Sequence, residues 1–172
     1  MKLLSLFLFL CLKSCSPSEP VGFWSSIPEP LGWVNDFEHL FTQKQLKSLD
    51  KLLSDNERKT SNEIAVITIP SNAVSKVNFD STVLEIAKAW GIGKKVKNNG
   101  ILIGISKGHR LIRICNADGI TKLLSDSETK LIIETVFIPN FKKEDYFLGT
   151  FSGIQSLIKT IDKNRILKEI EK

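Results

Sequence analysis

A seven-residue segment near the middle of the chain constrains the fold more than any other feature of the sequence. The segment Gly100–Ser106 reads Gly-Ile-Leu-Ile-Gly-Ile-Ser and is apolar at both odd and even positions. Successive side chains of a strand point to opposite faces of a sheet, so this strand must be covered on both faces. The sequence therefore predicts a central strand in a layered α/β domain.

A β-hairpin is predicted directly after this strand. Lys107 and Gly108 form a polar break, and residues 111–115 return as a partly alternating strand. We expect Gly108 to supply the turn, because glycine adopts turn conformations at little steric cost. A polar loop places Asn98 and Asn99 beside the start of the central strand, where we expect an α/β sheet to place ligands.

Two helices and a second buried strand are predicted before the central strand. Thr42 and Gln45 form a capping-box pattern, and leucines at helical spacing continue to about Lys59. Residues 64–69 are β-branched except for one alanine and predict a strand. An apolar face over residues 79–90, ending at Gly91, predicts the helix that connects the two strands. This crossover makes the two strands parallel.

Two further helices are predicted in the last third of the chain. Ser125 and Glu128 form a second capping box, which opens a helix that ends at Pro139. The last helix begins near Lys143 and frays past Asp162. The predicted fold is a single three-layer α/β/α domain, in which a small mixed β-sheet carries helices on both faces.

The first residues have the pattern of an export signal. Residues 3–12 are apolar except for one serine, a stretch too short to span a bilayer but long enough for a secretory signal. The stretch ends at Cys15 in a sequence that resembles the bacterial lipobox, although Lys13 replaces its usual small residue. We expect residues 1–15 to be a signal peptide and lipobox, with lipidation at Cys15. Ordinary secretion and a cytosolic location are the alternatives.

The composition limits the classes of partner. Residues 16–31 contain most of the prolines and have the composition of a linker. The net charge of +5 is spread along the chain, so we expect no nucleic-acid partner.

The three cysteines form no C-x-x-C pair, which gives no support for a zinc site or a disulfide framework. We expect Cys115 to be a small buried residue.

Several short motifs occur in an order that resembles the TPM domain. They cover about Trp33 to Ile161, and we place the domain at residues 32–163, followed by a C-terminal tail at 164–172. The motifs are Val-Asn-Asp-Phe at 34–37, Asn-Glu-Ile-Ala-Val-Ile-Thr-Ile at 62–69, Trp-Gly-Ile-Gly-Lys at 90–94, Asn-Asn-Gly at 98–100, Arg-Ile at 113–114, Leu-Ser-Asp at 124–126, Ile-Pro-x-Phe at 138–141 and Tyr-x-x-Gly at 146–149.

The resemblance implies an envelope protein that has a divalent-metal site. The family includes bacterial envelope proteins, some of which bind divalent metal, and is similar to the thylakoid-lumen protein of photosystem II repair, for which acid phosphatase activity has been proposed. The candidate ligands here are Asp36, Asn98 and Asp126, with Ca²⁺ or Mg²⁺ as the candidate ions. Many members carry Asp at the position of Asn98 and Glu at the position of Thr121, so the site is expected to be weak.

Each candidate ligand also has an ordinary structural role. Asp36 is suited to cap a turn, Asp126 to favour a helix N-terminus, and Asn98 to sit in a solvated turn. Neither His39 nor His109 occurs in a motif with a nucleophilic Ser or Cys, so a hydrolytic triad is not predicted.

Two functions follow, and neither has an assigned catalytic residue. In the first, the chain is an envelope-tethered binding module for membrane proteins or their assembly, held at the lipid bilayer by its N-terminal anchor. In the second, Asp36 and Asp126 hold the cation of a metal-dependent acid phosphatase. The missing carboxylates favour the first.

Overall fold

Four strands form one mixed sheet in the order in which they occur along the chain. The computed structural model describes Trp24, residues 26–93 and residues 97–171. The strands are β1 (Val34–Asp36), β2 (Glu63–Thr68), β3 (Gly100–Ser106) and β4 (Leu111–Asn116). The first three are parallel, and β4 returns antiparallel to β3. This arrangement confirms the predicted crossover and hairpin.

Helices cover both faces of the sheet, as predicted. They are α1 (Gln43–Thr60), α2 (Phe79–Trp90), α3 (Asp118–Thr121), α4 (Asp126–Ile132), a π-helix (Ile133–Phe137), α5 (Ile138–Phe141) and α6 (Tyr146–Ile170). Helix α2 packs on one face, and the other helices pack on the opposite face. All seven residues of β3 are buried, which follows from its apolar pattern on both faces.

The first strand was not predicted from the sequence. β1 has three residues and pairs with β2 through Val34 and Val66. Its central residue, Asn35, is buried and donates from Nδ2 to the carbonyl oxygens of Gly32 (3.0 Å) and Val66 (3.3 Å). A Val-Asn-Asp sequence has no strand pattern of its own, so the exposed edge of β2 determines this strand.

The hairpin loop corrects the predicted role of Gly108. The loop spans residues 107–110, and its left-handed residue is Arg110, at φ 56°. Gly108 is needed for a different reason, since a Cβ atom there would lie 2.5 Å from Ser71 Oγ. Glycine therefore permits close approach of two loops, and the turn itself is closed by the Arg110 N–H, which donates to the Lys107 carbonyl oxygen (3.1 Å).

The helix predicted to end at Pro139 continues through it. The N–H of Ile138 donates to the carbonyl oxygen of Ile133, five residues back, which is the π-helical spacing. Pro139 lies in the first turn of α5, where its missing N–H costs no interior helix bond. The π-helix therefore lets the chain pass a proline without a break.

Structured residues lie on both sides of the predicted domain. Before residue 32, Trp24 packs edge-on against Phe37, and Trp90 Nε1 donates to the Pro28 carbonyl oxygen (2.7 Å). At the other end α6 continues to Ile170, past the point at which fraying was expected. Cys15 lies outside the described residues, and within them no helix combines the length and apolarity needed to cross a bilayer.

Candidate functional site

The carboxyl ends of the three parallel strands meet at one edge of the sheet. β1 ends at Asp36, β2 at Thr68 and β3 at Ser106. Open α/β sheets bind ligands outside the carboxyl ends of their strands, because the connecting loops leave a crevice there. This edge is therefore the place to look for a site.

Asp36 is committed to holding the turn between β1 and α1. Its Oδ1 accepts from the N–H of Leu40 (3.0 Å) and from Thr68 Oγ1 (2.7 Å), and its Oδ2 accepts from the N–H of Phe41 (2.8 Å). Thr68 Oγ1 in turn accepts from the N–H of Glu38 (2.8 Å). These bonds support the turn-capping alternative for Asp36, since both carboxylate oxygens already have donors.

Glu38 joins this turn to the hairpin loop. Its carboxylate accepts from the N–H groups of Lys107 (2.8 Å) and Gly108 (3.2 Å). Burial raises the pKa of Glu38, and these two backbone donors oppose that effect in part. The loop that closes β3 and β4 is thus fixed by an acidic side chain from 69 residues earlier in the chain.

A cleft of about 450 Å³ opens beside the hairpin loop, between the start of β4 and helices α5 and α6. Its walls are largely apolar, and they carry two cations, Arg110 and Lys142, and one carboxylate, Glu144, all three exposed to solvent. The apolar lining is formed by Leu111, Ile112, Ile133, Ile138, Phe141 and Tyr146. Such a cleft suits an apolar group that carries a negative charge.

Tyr146 forms the boundary between this cleft and a shallower depression over the β1–α1 turn. Its ring stacks on Phe141 at 4.8 Å, and Lys107 Nζ lies 5.3 Å from the ring centre. Lys107 also forms a salt bridge with Glu144 (3.1 Å). Burial raises the pKa of Tyr146, with a smaller contribution from Glu144, so its hydroxyl stays neutral and can donate a hydrogen bond.

Three residues with left-handed backbones lie around this edge of the sheet. They are His39, Arg110 and Glu144, with φ values of 54°, 56° and 61°. Non-glycine residues adopt this conformation at some cost and are found where the surrounding structure enforces it, often at functional sites. Two others, Ser61 and Asn98, lie at the opposite edge, so left-handed residues alone do not distinguish the two edges.

The predicted metal ligands are not brought together. Asp36 lies at the carboxyl end of β1, whereas Asn98 precedes the first residue of β3 and so lies at the opposite edge. The length of β3 separates these edges by roughly 20 Å. The general rule for α/β sheets places ligands at the other end of the strands, and a ligand site ahead of the central strand stays a prediction.

Asp126 lies at the Asn98 end of the sheet, but it lines a different pocket. It is the first residue of α4, which is capped by Ser125 and Glu128 as predicted. Across the described residues, no cluster of three or more His, Cys, Asp or Glu side chains has the arrangement of a metal site. The three residues therefore do not fit one shared cation, and cation binding at either edge alone stays a prediction.

Other residues considered from the sequence have structural contacts. Asn99 is buried and donates from Nδ2 to the Ser61 carbonyl oxygen. His109 Nε2 lies 2.8 Å from the Val74 carbonyl oxygen. Cys115 is half-buried and free, and burial raises the pKa of its thiol. None of these contacts indicates a catalytic group.

The residues of the cleft were missed by the sequence-based prediction. Arg110 and Lys142 lie in polar loops with no motif, and Glu38 was passed over beside Asp36. One signal was present, because the polar residues Thr68 and Ser106 end two apolar strands. Parallel sheets bind ligands at the carboxyl ends of their strands, and this rule would have indicated the edge formed by Thr68 and Ser106.

Comparisons with known proteins indicate one family and one fold. Residues 34–160 match the sequence model of a family described as the TPM domain. The chain is similar to the N-terminal domain of a P. gingivalis protein, with 26% identity, a TM-score of 0.69, and coverage of 76% of this chain and 82% of that one.

Two more distant solution structures are similar in fold. For the BA42 protein of Bizionia argentinensis the identity is 21% and the TM-score 0.63, with 74% of this chain and 86% of that chain covered. For the N-terminal domain of the cg2496 protein of Corynebacterium glutamicum the identity is 12% and the TM-score 0.60, with 80% of this chain and 84% of that chain covered. A comparison with curated proteins gave no match.

Proposed function

Because this chain belongs to the TPM domain family, we propose that it is a binding module of the bacterial cell envelope that recognises membrane proteins or their assembly intermediates. The observation that carries this proposal is the cleft at the carboxyl end of the sheet, with its apolar walls and two cations. The nearby carboxylates of Asp36 and Glu38 accept hydrogen bonds from their own chain, which favours binding over chemistry.

The ligand is an apolar segment that bears a carboxylate. Lys107 is neutralised by Glu144, whereas Arg110 and Lys142 form no salt bridge within the described part of the chain. A carboxylate between these two cations would form charge-assisted hydrogen bonds. Aliphatic or aromatic side chains beside it would lie against Ile138 and Phe141.

The predicted anchor at Cys15 would place this cleft near the membrane surface. Fractionation of cells tests this part of the proposal. We expect the chain to sediment with membranes and the Cys15→Ser variant to be released or left unprocessed. A soluble mature protein with a different N-terminus would remove the anchor from the proposal while leaving the binding cleft to its own test.

Site-specific photo-crosslinking tests the binding function. A photoreactive phenylalanine analogue in place of Phe141, which lines the cleft, should capture partners in the membrane fraction, and the same analogue at Phe147, a half-buried residue outside the cleft, should not. Arg110→Asn removes the cation and keeps a residue that tolerates the left-handed backbone. We expect it to lower the yield about tenfold, as for the loss of one charge-assisted contact. Equal yields from both positions would contradict the proposal.

The alternative function is a metal-dependent phosphatase, and it is tested separately. The purified chain is incubated with p-nitrophenyl phosphate and either Ca²⁺ or Mg²⁺. We expect no turnover above that of the Asp36→Asn and Asp126→Asn variants. Metal-dependent turnover that both substitutions abolish would replace the binding module with the phosphatase.

A further inference from the structure

The last strand of the sheet has an unpaired edge. β4 is the outermost strand in the order β1-β2-β3-β4, and no other strand in the described part of the chain pairs with it. The Ala117 N–H donates to the Gly100 carbonyl oxygen (2.9 Å), which fixes the alternation of the antiparallel ladder. It follows from the register that the backbone N–H and C=O groups of Ile112, Ile114 and Asn116 point away from β3.

This edge forms the floor of a groove between two helices. Asp80 and Leu84 of α2 line one side, and Lys130 of α4 and Ile133 of the π-helix line the other, around a volume of about 480 Å³. Because helices border the edge on both faces of the sheet, the groove admits one extended chain more readily than the edge of a second folded sheet. The edge is thus protected from sheet-to-sheet aggregation but open to a single strand.

The two sides of the groove differ in chemistry. On the α2 side Arg113 is exposed and forms no salt bridge within the described residues, Leu84 is 40% exposed, and Asp80 is an exposed carboxylate at the helix start. On the α4 side, Ile112 and Ile133 are half-buried and apolar. A strand added here would place alternate side chains against these two surfaces.

One buried polar atom at the groove also lacks a partner. Asn116 Oδ1 is buried and accepts no hydrogen bond, while its Nδ2 donates to Thr129 Oγ1 (2.9 Å). A buried acceptor without a donor is unfavourable, and an added strand carries N–H groups that could satisfy it. This observation is independent of the unpaired backbone edge.

We propose that β4 accepts an extended segment of a partner polypeptide as a fifth strand. The segment is free of proline, with apolar side chains facing Ile112 and Ile133 and a central acidic side chain facing Arg113. Main-chain hydrogen bonds give the affinity, and these alternate contacts give the specificity. The groove shares Ile112 and Ile133 with the cleft of the proposed function, whereas Arg113 and Asn116 line the groove and not the cleft. Amide exchange along β4 reports on the groove, and crosslinking from the cleft reports on the proposed function.

The test fuses the sequence Thr-Ile-Glu-Ile-Thr to the C-terminus of the full chain through a ten-residue Gly-Ser linker. The end of α6 lies near the α3–α4 connection, where Lys168 Nζ donates to the Lys122 carbonyl oxygen. Such a linker spans about 18 Å on average, close to the roughly 20 Å length of β4, and it gives a millimolar effective concentration. Tethering therefore makes weak pairing detectable.

The readout is amide hydrogen exchange along β4. In the unfused chain we expect the outward amides of Ile112 and Ile114 to exchange about tenfold faster than those of Arg113 and Cys115, which pair with β3. In the fusion, the two outward amides should slow about tenfold or more. Slow exchange in the unfused chain, or unchanged exchange in the fusion, would overturn the proposal.

Two matched controls separate strand addition from general contact. Replacing both isoleucines of the fused segment by proline should abolish the slowing, because proline cannot join a sheet interior. Arg113→Glu should reduce it, and replacing the central Glu of the segment by Lys in that variant should restore it. Slowing that survives the prolines would show that no fifth strand forms.

Discussion

At the scale of single residues, acidic side chains at the sheet edge organise their own backbone. Asp36 and Glu38 together accept four backbone N–H groups and one hydroxyl, from the turn before α1, the end of β2 and the hairpin loop. Half-buried carboxylates with this many donors stabilise the fold without any ligand. Asp126, by contrast, is exposed at the first position of α4.

We therefore predict that replacing each of the two aspartates changes the free energy of unfolding by a different amount when no cation is present. Asp36→Ala leaves the N–H groups of Leu40 and Phe41 without an acceptor and should lower the free energy of unfolding by about 1–3 kcal/mol. Asp126→Ala should change it by about 0.5 kcal/mol or less, since Ser125 still caps the helix. Urea unfolding in EDTA measures both. Small effects of both substitutions in EDTA, which become large and equal only when Ca²⁺ is added, would support a ligand role.

Glu38 gives a prediction about pH. Its pKa is raised in the folded state, chiefly by burial, so the folded chain holds this proton at pH values where the unfolded chain has released it. The free energy of unfolding contributed by Glu38 should therefore fall as pH rises from the ordinary pKa of Glu to the raised one. Urea unfolding of wild type and Glu38→Gln across pH 4 to 7 measures this. A gap between them that is constant with pH would contradict the assignment.

At the scale of elements, β3 and α2 are matched in shape. Gly104 lies at the centre of β3, and a Cβ atom there would lie 2.5 Å from Val83 Cγ2 of α2. The helix is therefore held close to the sheet because one strand residue has no side chain. Small residues permit this approach, and packed interiors have little room to relax.

We predict that Gly104 and Val83 are coupled. Gly104→Ala should cost roughly 1–3 kcal/mol through overpacking, and Val83→Ala a similar amount through the cavity it leaves. The double variant should cost about 0.5–3 kcal/mol less than the two single effects combined, because the new methyl group fills part of that cavity. Chemical denaturation of the four proteins gives this coupling. Additive effects would show that the two residues do not limit the packing.

At the scale of the whole molecule, the described residues before β1, Trp24 and residues 26–33, belong to the folded structure. Trp24, Ile27 and Pro28 lie on the α2 face of the sheet, although their composition is that of a linker. Two tryptophans provide this contact, Trp24 against Phe37 and Trp90 against the Pro28 carbonyl.

Truncation tests this contact. A chain that begins at Gly32 should still unfold cooperatively, because the buried core lies beyond that residue. It should be less stable than one that begins at Trp24 by about 1–3 kcal/mol, from one aromatic contact and one hydrogen bond. Trp90→Phe should cost about 1 kcal/mol in the longer chain and much less in the shorter. Equal stabilities of the two chains would mean that the segment does not dock.

The sequence by itself determined the elements whose signals are local. Apolar patterning predicted β2, β3 and α2, and the side chains of Thr42 and Ser125 predicted the starts of α1 and α4, because periodicity and capping act over a few residues. The same patterns predicted the three-layer arrangement, since a strand that is apolar on both faces must be covered on both.

Only the tertiary structure decided which polar residues share a site. Asp36 and Asn98 have similar local signals, yet the parallel order of the strands puts them at opposite edges. The same order brings Glu38 to the hairpin loop. β1 exists because β2 offers it an edge, and the cleft exists because α5 and α6 pack beside Arg110. These contacts join residues that are far apart in the chain. A local pattern of a few residues does not determine which distant residues it will contact.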